Sequence, residues 1–271
     1  MLLYNNQFLP AQDLRIPLHN RAFQYNDSFF ETIMVVDGRL RFWNEHKTRM
    51  REAALAMKIS LPDYFWDEEL EDNLLRLAKQ RNATRRGRIK LKVWRAGEGL
   101  YTPQTRDAEW LATAEVHHPA PDAGVRIGIC ETVRISYSPF SHFKGPHAPF
   151  YVLASMEKQA KGFDDMLLLN VEGYMSELSS SNLFWLREGV LYTPHLETGC
   201  VNGILRRKIL NWCHEQEFAV QQVQAKPDEL LFASVVFGSN VTGIRSVLSL
   251  GNSALHVDHQ FLNQLKARLG F

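Results

Sequence analysis

The chain has 271 residues, of which 45% are hydrophobic, so it can bury a sizeable core in one large domain or two smaller ones. Its 31 basic and 30 acidic residues nearly cancel, and this balance gives no reason to expect nucleic acid or an anionic membrane as a partner. Three cysteines without metal-ligand spacing, and an N-terminus without the basic start and apolar core of a signal peptide, favour a reduced, cytoplasmic setting.

The N-terminal third predicts two hairpins followed by a helix. Short apolar strands form the first hairpin over residues 2–9, and the second hairpin turns at Asp37-Gly38. The helix is expected to begin with Asn44 as its N-cap. His46 and Arg49 fall in its first turns, where the helix dipole disfavours cations, so we expect an anion to lie within their reach.

The next part of the chain predicts a second helix, two strands and a linker. The helix spans Asp67 to Arg81, and its acidic start and basic end suit the dipole. Arg88–Arg95 alternates with period two, as a half-buried strand does, and Trp110–Val116 is another strand. The glycine loop between them is no dinucleotide fingerprint, because no βαβ unit follows. Residues 117–124 have the composition of a linker, and no metal is expected at its two adjacent histidines.

The C-terminal half opens with an apolar strand, Val125–Val133, and then a loop that carries a lone lysine, Lys144. A helix from Pro149 to Ala160 follows, and Gly162 is expected to end it. Four strand-like segments come next: Met166–Asn170, Tyr174–Glu177, Asn182–Leu186 and Val190–Pro194.

The last part of the chain begins with Gly203, which introduces a helix of good helix formers from Leu205 to Glu215. Phe218–Ala225 is expected to be a strand. Gly238-Ser-Asn240 is expected to form a turn, and His259–Leu269 is predicted as the closing helix.

Three features of this half point to one chemistry. Lys144 offers an amine nucleophile, Glu177 an acid at the end of a strand, and Gly203 a helix N-terminus that can hold a phosphate. A pyridoxal phosphate enzyme needs a Schiff-base lysine, a carboxylate for the pyridinium nitrogen and a phosphate cradle. Taken residue by residue, the same features also fit a solvated lysine, a solvated glutamate and an ordinary glycine turn.

The order of the motifs resembles the class IV, or fold-type IV, pyridoxal phosphate family. Lys144 is followed by Gly162-Phe-Asp-Asp, then Glu177-Leu-Ser-Ser-Ser-Asn182-Leu-Phe, then Leu191-Tyr-Thr-Pro, then Val201-Asn-Gly-Ile-Leu-Arg206. The similarity runs from about residue 3 to residue 250. The family contains branched-chain and D-amino acid aminotransferases and 4-amino-4-deoxychorismate lyase.

The resemblance implies pyridoxal 5'-phosphate as the cofactor and assigns the residues that hold it. Lys144 would carry the covalent bond and act as the catalytic residue, and Glu177 would pair with the ring nitrogen. His46-Lys-Thr-Arg49 matches a family pattern whose arginine binds the phosphate. The full set of expected cofactor residues is Arg49, Lys144, Glu177, Val201, Ile204, Leu205, Ser239 and Asn240. For Ser239 and Asn240 an ordinary turn is the alternative.

The resemblance also implies a substrate pocket, which we expect at Tyr25, Phe30, Thr32, Arg95 and Leu100. For Phe30, a place in the ordinary core is the alternative interpretation. The family's usual two glycines before this strand are replaced by Asn26 and Ser28. Asparagine is the best substitute for glycine where φ is positive.

Two reactions fit the family. Val201-Asn-Gly-Ile-Leu-Arg206 and Thr32 favour a lyase that converts 4-amino-4-deoxychorismate to 4-aminobenzoate and pyruvate in the folate pathway. Against the lyase stand Phe30-Glu-Thr32, where one lyase type has Phe-Thr-Thr, the unusual Gly145-Pro-His-Ala-Pro149 after the lysine, and Leu100, so a branched-chain or D-amino acid aminotransferase is the alternative. A non-catalytic binding relative is a third hypothesis, which the presence of Lys144 and Glu177 disfavours.

The expected fold is α+β with two domains. Residues 1–116 would form a small N-terminal α/β domain, 117–124 the linker, and 125–271 a larger, β-barrel-like cofactor-binding domain. The expected partners are a small-molecule amino substrate and a second copy of the chain in a homodimer, with no nucleic acid and no membrane. The aromatic stretch Phe23–Tyr25 and Phe29-Phe30 is the expected interface.

Overall fold

The computed structural model describes residues 1–119 and 123–271, which form two compact units. The first unit comprises Met1–Pro119 together with Phe143–Pro146. The second comprises the described residues of Ala120–His142 together with His147–Phe271. Residues 120–122 of the expected linker lie outside the described residues. The lysine segment was expected in the second domain, but its contacts place it in the first unit.

The first unit is an antiparallel sheet covered by helices, with the strand order β2-β1-β6-β5-β3-β4. Its strands are β1 (Leu2–Tyr4), β2 (Gln7–Leu9), β3 (Ser28–Val36), β4 (Arg39–Leu40), β5 (Arg86–Arg95) and β6 (Ala108–Val116). Its helices are α1 (Arg21–Tyr25), α2 (Trp43–Met57) and α3 (Glu68–Gln80). On β5, Ile89, Leu91 and Val93 are buried between more exposed cations, as the alternation predicted. The core lies on this face, against α2 and α3.

Two details of the first unit differ from the prediction. Helix α2 begins at Trp43, so Asn44 as its N-cap is wrong: Phe42 takes a left-handed conformation (φ 57°) and turns the chain into the helix before Asn44. Helix α1 lies in a stretch for which no helix was predicted. Asn26 caps its end at φ 52°, a positive value that asparagine tolerates in place of glycine.

The second unit is a mixed sheet in the order β12-β11-β10-β13-β14-β7-β8-β9, with β15 paired to β14. Its strands are β7 (Val125–Ile129), β8 (Asp165–Leu169), β9 (Met175–Leu178), β10 (Asn182–Arg187), β11 (Val190–Pro194), β12 (Val220–Val223), β13 (Val235–Asn240), β14 (Gly243–Leu250) and β15 (Ser253–Ala254). Its helices are α4 (Ala148–Lys161), α5 (Ile204–Glu215) and α6 (His259–Arg268). Strand β9, last in the order, contacts β10 and β11, so the sheet curls around an apolar core.

The second unit confirms most of the predicted elements. Gly162 ends α4 in the left-handed conformation (φ 69°), as predicted. The predicted turn at Gly238–Asn240 is wrong, because these residues lie within β13 and pair with β10 and β14. A Cβ on Gly238 would lie 2.9 Å from Leu178. This glycine therefore serves close packing rather than a turn.

Candidate active site

Lys144 is held by its backbone against β3 of the first unit. Its carbonyl accepts a hydrogen bond from Phe30 N at 2.8 Å, and the carbonyl of Gly145 accepts one from Asn26 Nδ2 at 3.1 Å. The Phe143 ring packs edge-on against Phe29, with centroids 6.2 Å apart. A Cβ on Gly145 would clash with the carbonyl oxygen of Ser28. The backbone of Lys144 is therefore fixed against strand β3, as that of a mobile surface loop would not be.

A buried ion cluster lies in the same unit. Arg49 donates from Nε to Glu31 Oε1 at 2.8 Å and from Nη2 to Oε2 at 2.6 Å, while His46 Nδ1 lies 2.6 Å from Oε2. All three side chains are buried. The two-pronged pair leaves Nη1 of Arg49 outside it. The anion within reach of these cations is Glu31, and contact of Arg49 with a phosphate stays a prediction.

The charges of this cluster are strongly coupled. Burial alone raises the pKa of Glu31, but Arg49 and His46 outweigh it and hold that pKa at about 2. Burial lowers the pKa of His46, Glu31 opposes this, and the positive charges of Arg49 and Lys144 add to the lowering. The electrostatic effect on His46 places the Lys144 charge in the neighbourhood of the cluster.

Glu177 lies in the second unit, near the end of β9, and is 3% exposed. Its Oε1 accepts a hydrogen bond from the Tyr151 hydroxyl at 2.6 Å. Val201 N lies 3.2 Å from both carboxylate oxygens, and Asn182 Nδ2 lies 3.3 Å from Oε2. Donors to a carboxylate favour its ionised form, which a partner for a pyridinium nitrogen requires.

The N-terminus of α5 has the features of an anion site. Gly203 precedes the helix and offers no side-chain cap, so the first backbone N–H groups, at Ile204 and Leu205, are directed out of the helix end. A Cβ on Gly203 would clash with Oδ1 of Asn182, whose Nδ2 donates to the carbonyl of Val201 at 2.7 Å. The absence of a side chain at Gly203 therefore lets Asn182 pack directly against the start of α5.

The structure distinguishes the two predicted polar residues of β13. Ser239 is buried, and its Oγ has no hydrogen-bond partner among the described residues. Asn240 donates to Ser180 O at 3.0 Å and to Ser181 Oγ at 3.2 Å, and its Oδ1 accepts from Thr242. Because Ser239 pairs with Asn182 across the sheet, it lies near the α5 terminus. An unpartnered buried hydroxyl beside a helix N-terminus fits a phosphate group.

The predicted substrate residues fall into three places in the first unit. Phe30 and Thr32 line a cavity of about 470 Å³ with Arg81, Arg88, Lys90 and Glu115. Tyr25 packs against Tyr101, and Leu100 on the same loop is 78% exposed. Arg95 is buried and donates to Asp27, Lys58 O and Met57 O. Within the first unit, the five residues therefore do not line one common pocket.

Sequence reasoning missed Tyr151, Lys90 and the role of Glu31. Tyr151 lies on a helix, where an aromatic residue most often belongs to the core, so only the fold shows its hydroxyl on Glu177. The alternation of β5 predicts a strand position for Lys90 but not its place in the cavity beside Thr32. Glu31 belongs to the recognised motif, and its inward direction on β3 could have been derived from the alternation with Phe30 and Thr32.

Over residues 1–119 and 123–271, no helix is both long and apolar enough to cross a membrane. Over the same residues, no group of three histidine, cysteine or acidic side chains could hold a metal ion.

The family model for amino-transferase class IV matches residues 28–250. An aminodeoxychorismate lyase from Vibrio harveyi is 30% identical over 232 residues, which are 83% of each chain. The solved 4-amino-4-deoxychorismate lyase from Pseudomonas aeruginosa is 26% identical, with a TM-score of 0.87 and coverage of 100% of both chains. A branched-chain aminotransferase from T.th., solved with pyridoxamine 5'-phosphate, is 26% identical, with a TM-score of 0.84, and the match covers 99% of this chain and 94% of that one.

Proposed function

Because this chain belongs to the amino-transferase class IV family, we propose that it is a pyridoxal phosphate lyase that converts 4-amino-4-deoxychorismate to 4-aminobenzoate and pyruvate. It has the two-domain fold-type IV architecture of that family and is an enzyme with this cofactor. The similarity to the Vibrio harveyi lyase, over 83% of each chain, supports the lyase among the family's reactions.

The cofactor supplies, when bound, an aldehyde for covalent attachment and a ring that accepts electrons. Lys144 would carry the covalent bond to the cofactor through its Nζ. Glu177 holds a proton at the ring nitrogen, and the hydrogen bonds to its carboxylate keep it ionised for that task. Ser239 and the N–H groups at the start of α5 would hold the phosphate, and Arg49 is the arginine that the family pattern assigns to it.

The observation that carries the lyase proposal is the cationic cavity beside Thr32. Arg81, Arg88 and Lys90 line it, with Glu115 as its acidic residue. The substrate of the lyase carries two carboxylates, whereas an apolar amino acid carries one. A cavity with three cations and one carboxylate therefore suits the lyase substrate better. In this reaction Lys144 Nζ accepts a proton from the substrate ring and returns one to the departing enol.

A class IV aminotransferase is the second candidate. Leu100, with its side chain 78% exposed on the glycine loop, supports it, because an apolar residue there suits a branched-chain side chain. In that reaction Lys144 Nζ would accept the proton of the substrate Cα. Both reactions use the same cofactor residues, so product analysis is needed to separate them.

The test supplies purified protein and pyridoxal phosphate with 4-amino-4-deoxychorismate, and follows 4-aminobenzoate by chromatography and pyruvate by a coupled assay. Parallel reactions contain leucine or D-alanine with 2-oxoglutarate. We expect pyruvate and 4-aminobenzoate in equal amounts. Amino transfer from either amino acid without pyruvate release would overturn the lyase and leave the cofactor assignment intact.

Lys144→Ala should abolish turnover and the visible absorbance of bound cofactor, because the proposed point of attachment is removed. Lys158→Ala, which alters a lysine in the last turn of α4, is the matched control and should retain both. Borohydride reduction followed by peptide mass spectrometry should find the cofactor on Lys144. Labelling of Lys158 or Lys161 in its place would contradict the assignment.

Cytoplasmic location and a homodimer complete the proposal. All three cysteines, Cys130, Cys200 and Cys213, are free thiols, which fits a reducing compartment. Phe23, expected at the interface, is 72% exposed and borders an apolar groove of about 420 Å³. Phe29 is 1% exposed and packs inside the first unit, so its expected place in an interface is wrong.

A further inference from the structure

Tyr151 makes the shortest of the described contacts to the Glu177 carboxylate. Its hydroxyl lies 2.6 Å from Oε1, whereas Val201 N lies 3.2 Å from each oxygen and Asn182 Nδ2 lies 3.3 Å from Oε2. Hydrogen bonds between a hydroxyl and an ionised carboxylate have this length and are among the stronger ones in proteins. Tyr151 is therefore the firmest described restraint on the orientation of Glu177.

The tyrosine is itself rigidly placed. It lies in the first turns of α4, and its ring packs against a buried cluster that includes Ala154, Met166 and Leu168. Leu168 is the direct partner of Glu177 across the β8–β9 ladder. The Tyr151 ring therefore packs on the same β8–β9 strand pair that carries the Glu177 carboxylate. An aromatic side chain with few rotatable bonds loses little entropy in such a position.

The protonation of the pair is well defined. Burial, and then the negative charge of Glu177, raise the pKa of Tyr151 well above its ordinary value of 10.0. The phenol therefore stays protonated at neutral pH and donates to Glu177. Donation from the phenol favours the ionised carboxylate of Glu177, and the positive charge of Arg206 acts on Glu177 in the same direction.

We propose that Tyr151 is a positioning residue that holds the Glu177 carboxylate ionised and in one orientation for its task at the cofactor ring nitrogen. The inference rests on the proposed function, since it needs the cofactor. The inference adds Tyr151, on α4 and two positions after Pro149, to the residues proposed to act at the cofactor. Tyr151 acts through Glu177 and takes no proton from the substrate.

The test compares the holoenzymes of wild type, Tyr151→Phe and Tyr192→Phe. Tyr192 is the matched control, because it is a half-buried tyrosine of the same unit that stacks on Trp185. Three quantities are measured: the dissociation constant of pyridoxal phosphate, the pH dependence of its visible absorbance on the protein, and kcat and KM with 4-amino-4-deoxychorismate. A purely structural role would not move the pH at which the absorbance changes.

We expect Tyr151→Phe to bind the cofactor but to shift its absorbance transition by about half a pH unit or more, because the carboxylate loses a donor. We expect kcat to fall about tenfold or more, the scale of one hydrogen bond to a charged group, with KM changed less than about twofold. Tyr192→Phe should match wild type. An unchanged transition and unchanged kcat in Tyr151→Phe would overturn the inference and leave the proposed function standing.

A second measurement, on the cofactor-free protein, tests the inference without the Tyr151→Phe variant and therefore still applies if that variant does not fold. Tyrosine labelled with ¹³C at Cζ reports the titration of Tyr151 by NMR in wild type and in Glu177→Gln. Removing the negative charge should lower the pKa of Tyr151 by about one unit or more. An identical titration in both proteins would overturn the inference. Wild type that binds no pyridoxal phosphate would instead overturn the proposed function.

Discussion

Glu31 and Glu177 are both buried carboxylates, and the groups around each decide what it can do. Glu31 faces Arg49, whose positive charge compensates it, and His46, whose pKa is lowered by burial. Glu177 receives hydrogen bonds from Tyr151, Asn182 and the backbone of Val201. Arg49 pairs directly with Glu31, whereas the described hydrogen bonds to Glu177 come from neutral donors, and the charge of Arg206 also acts on Glu177. The surroundings of Glu31 suit a structural group, and those of Glu177 suit the role at the ring nitrogen that is proposed for it.

Glu31→Gln should destabilise the first unit by about 3–5 kcal/mol, the scale of breaking a buried pair, because Arg49 would keep an uncompensated charge. Urea unfolding followed by circular dichroism measures this. Glu115→Gln is the matched control: its pair with Arg88 is exposed, so a change of about 0–1 kcal/mol is expected. A similar loss in both variants would contradict the special role of the buried cluster.

The same cluster predicts how stability depends on pH. The pKa of Glu31 falls from its ordinary value of 4.5 to about 2 on folding, so its contribution is present above pH 4.5 and is lost as the pH falls towards 2. The lowered pKa of His46 acts in the same direction, beginning below its ordinary value of 6.5. Thermal unfolding between pH 7 and pH 2 should show this decline, and Glu31→Gln should flatten its lower part.

Glu177→Gln should keep the cofactor but lose about 100-fold or more in kcat, the scale of removing one preorganised electrostatic partner. The amide still fills the space and accepts from Tyr151, but it cannot hold a proton at the ring nitrogen. Steady-state kinetics and cofactor titration measure the two effects separately. Turnover near that of wild type would refute the role of Glu177.

At the scale of elements, the start of α5 depends on one glycine. Gly203 has φ −63°, which any residue can adopt, so its conformation alone does not require glycine. The requirement comes from Asn182, whose Oδ1 fills the space that a Cβ would need. Asn182 in turn lies on β10 and links Val201 to Glu177. A side chain at position 203 would thus disturb the anion site and the carboxylate together.

Gly203→Ala should weaken the binding of pyridoxal phosphate by about tenfold or more, because Asn182 must move and overpacking of this kind costs about 1–3 kcal/mol. Fluorescence titration with the cofactor measures the change. The double variant Gly203→Ala with Asn182→Ala should bind more tightly than Gly203→Ala alone, since the clash is then removed. Equal affinity of Gly203→Ala and wild type would show that the helix end tolerates the methyl group.

At the scale of the whole molecule, the first unit exposes an apolar groove. Ile16, Leu18 and Phe23 line it and are 44%, 74% and 72% exposed. Exposed apolar patches of this kind mark interaction surfaces more often than free surface. The groove continues the aromatic stretch that the sequence predicted as an interface, which supports its use between two copies of the chain.

Phe23→Asp should convert the proposed homodimer into a monomer, because a charge in an apolar interface core is left without a partner. Light scattering coupled to size-exclusion chromatography gives the mass of the particle, and wild type should show twice the chain mass of 31.2 kDa. Leu55→Asp is the control, since Leu55 is 73% exposed elsewhere on the first unit. A monomeric wild type, or a dimeric Phe23→Asp, would contradict the prediction.

The sequence alone determined the family and most of the elements. The ordered motifs from Lys144 to Arg206 identified class IV, and the family model confirms it. The hairpin at Asp37-Gly38 and the end of α4 at Gly162 followed from local chemistry, because positive φ values select a few residue types. Such signals lie within a few residues of one another, so a single sequence carries them.

Only the tertiary structure decided which groups meet over long sequence separations. Arg49 meets Glu31, 18 residues away, and Tyr151 meets Glu177, 26 residues away. Ser239 and Asn240 are adjacent in sequence, yet the Asn240 side chain donates to Ser180 O, whereas the Ser239 hydroxyl has no hydrogen-bond partner among the described residues. Sheet register and helix packing set these contacts, and the periodicity of a sequence gives the face of a residue but not its partner across the fold.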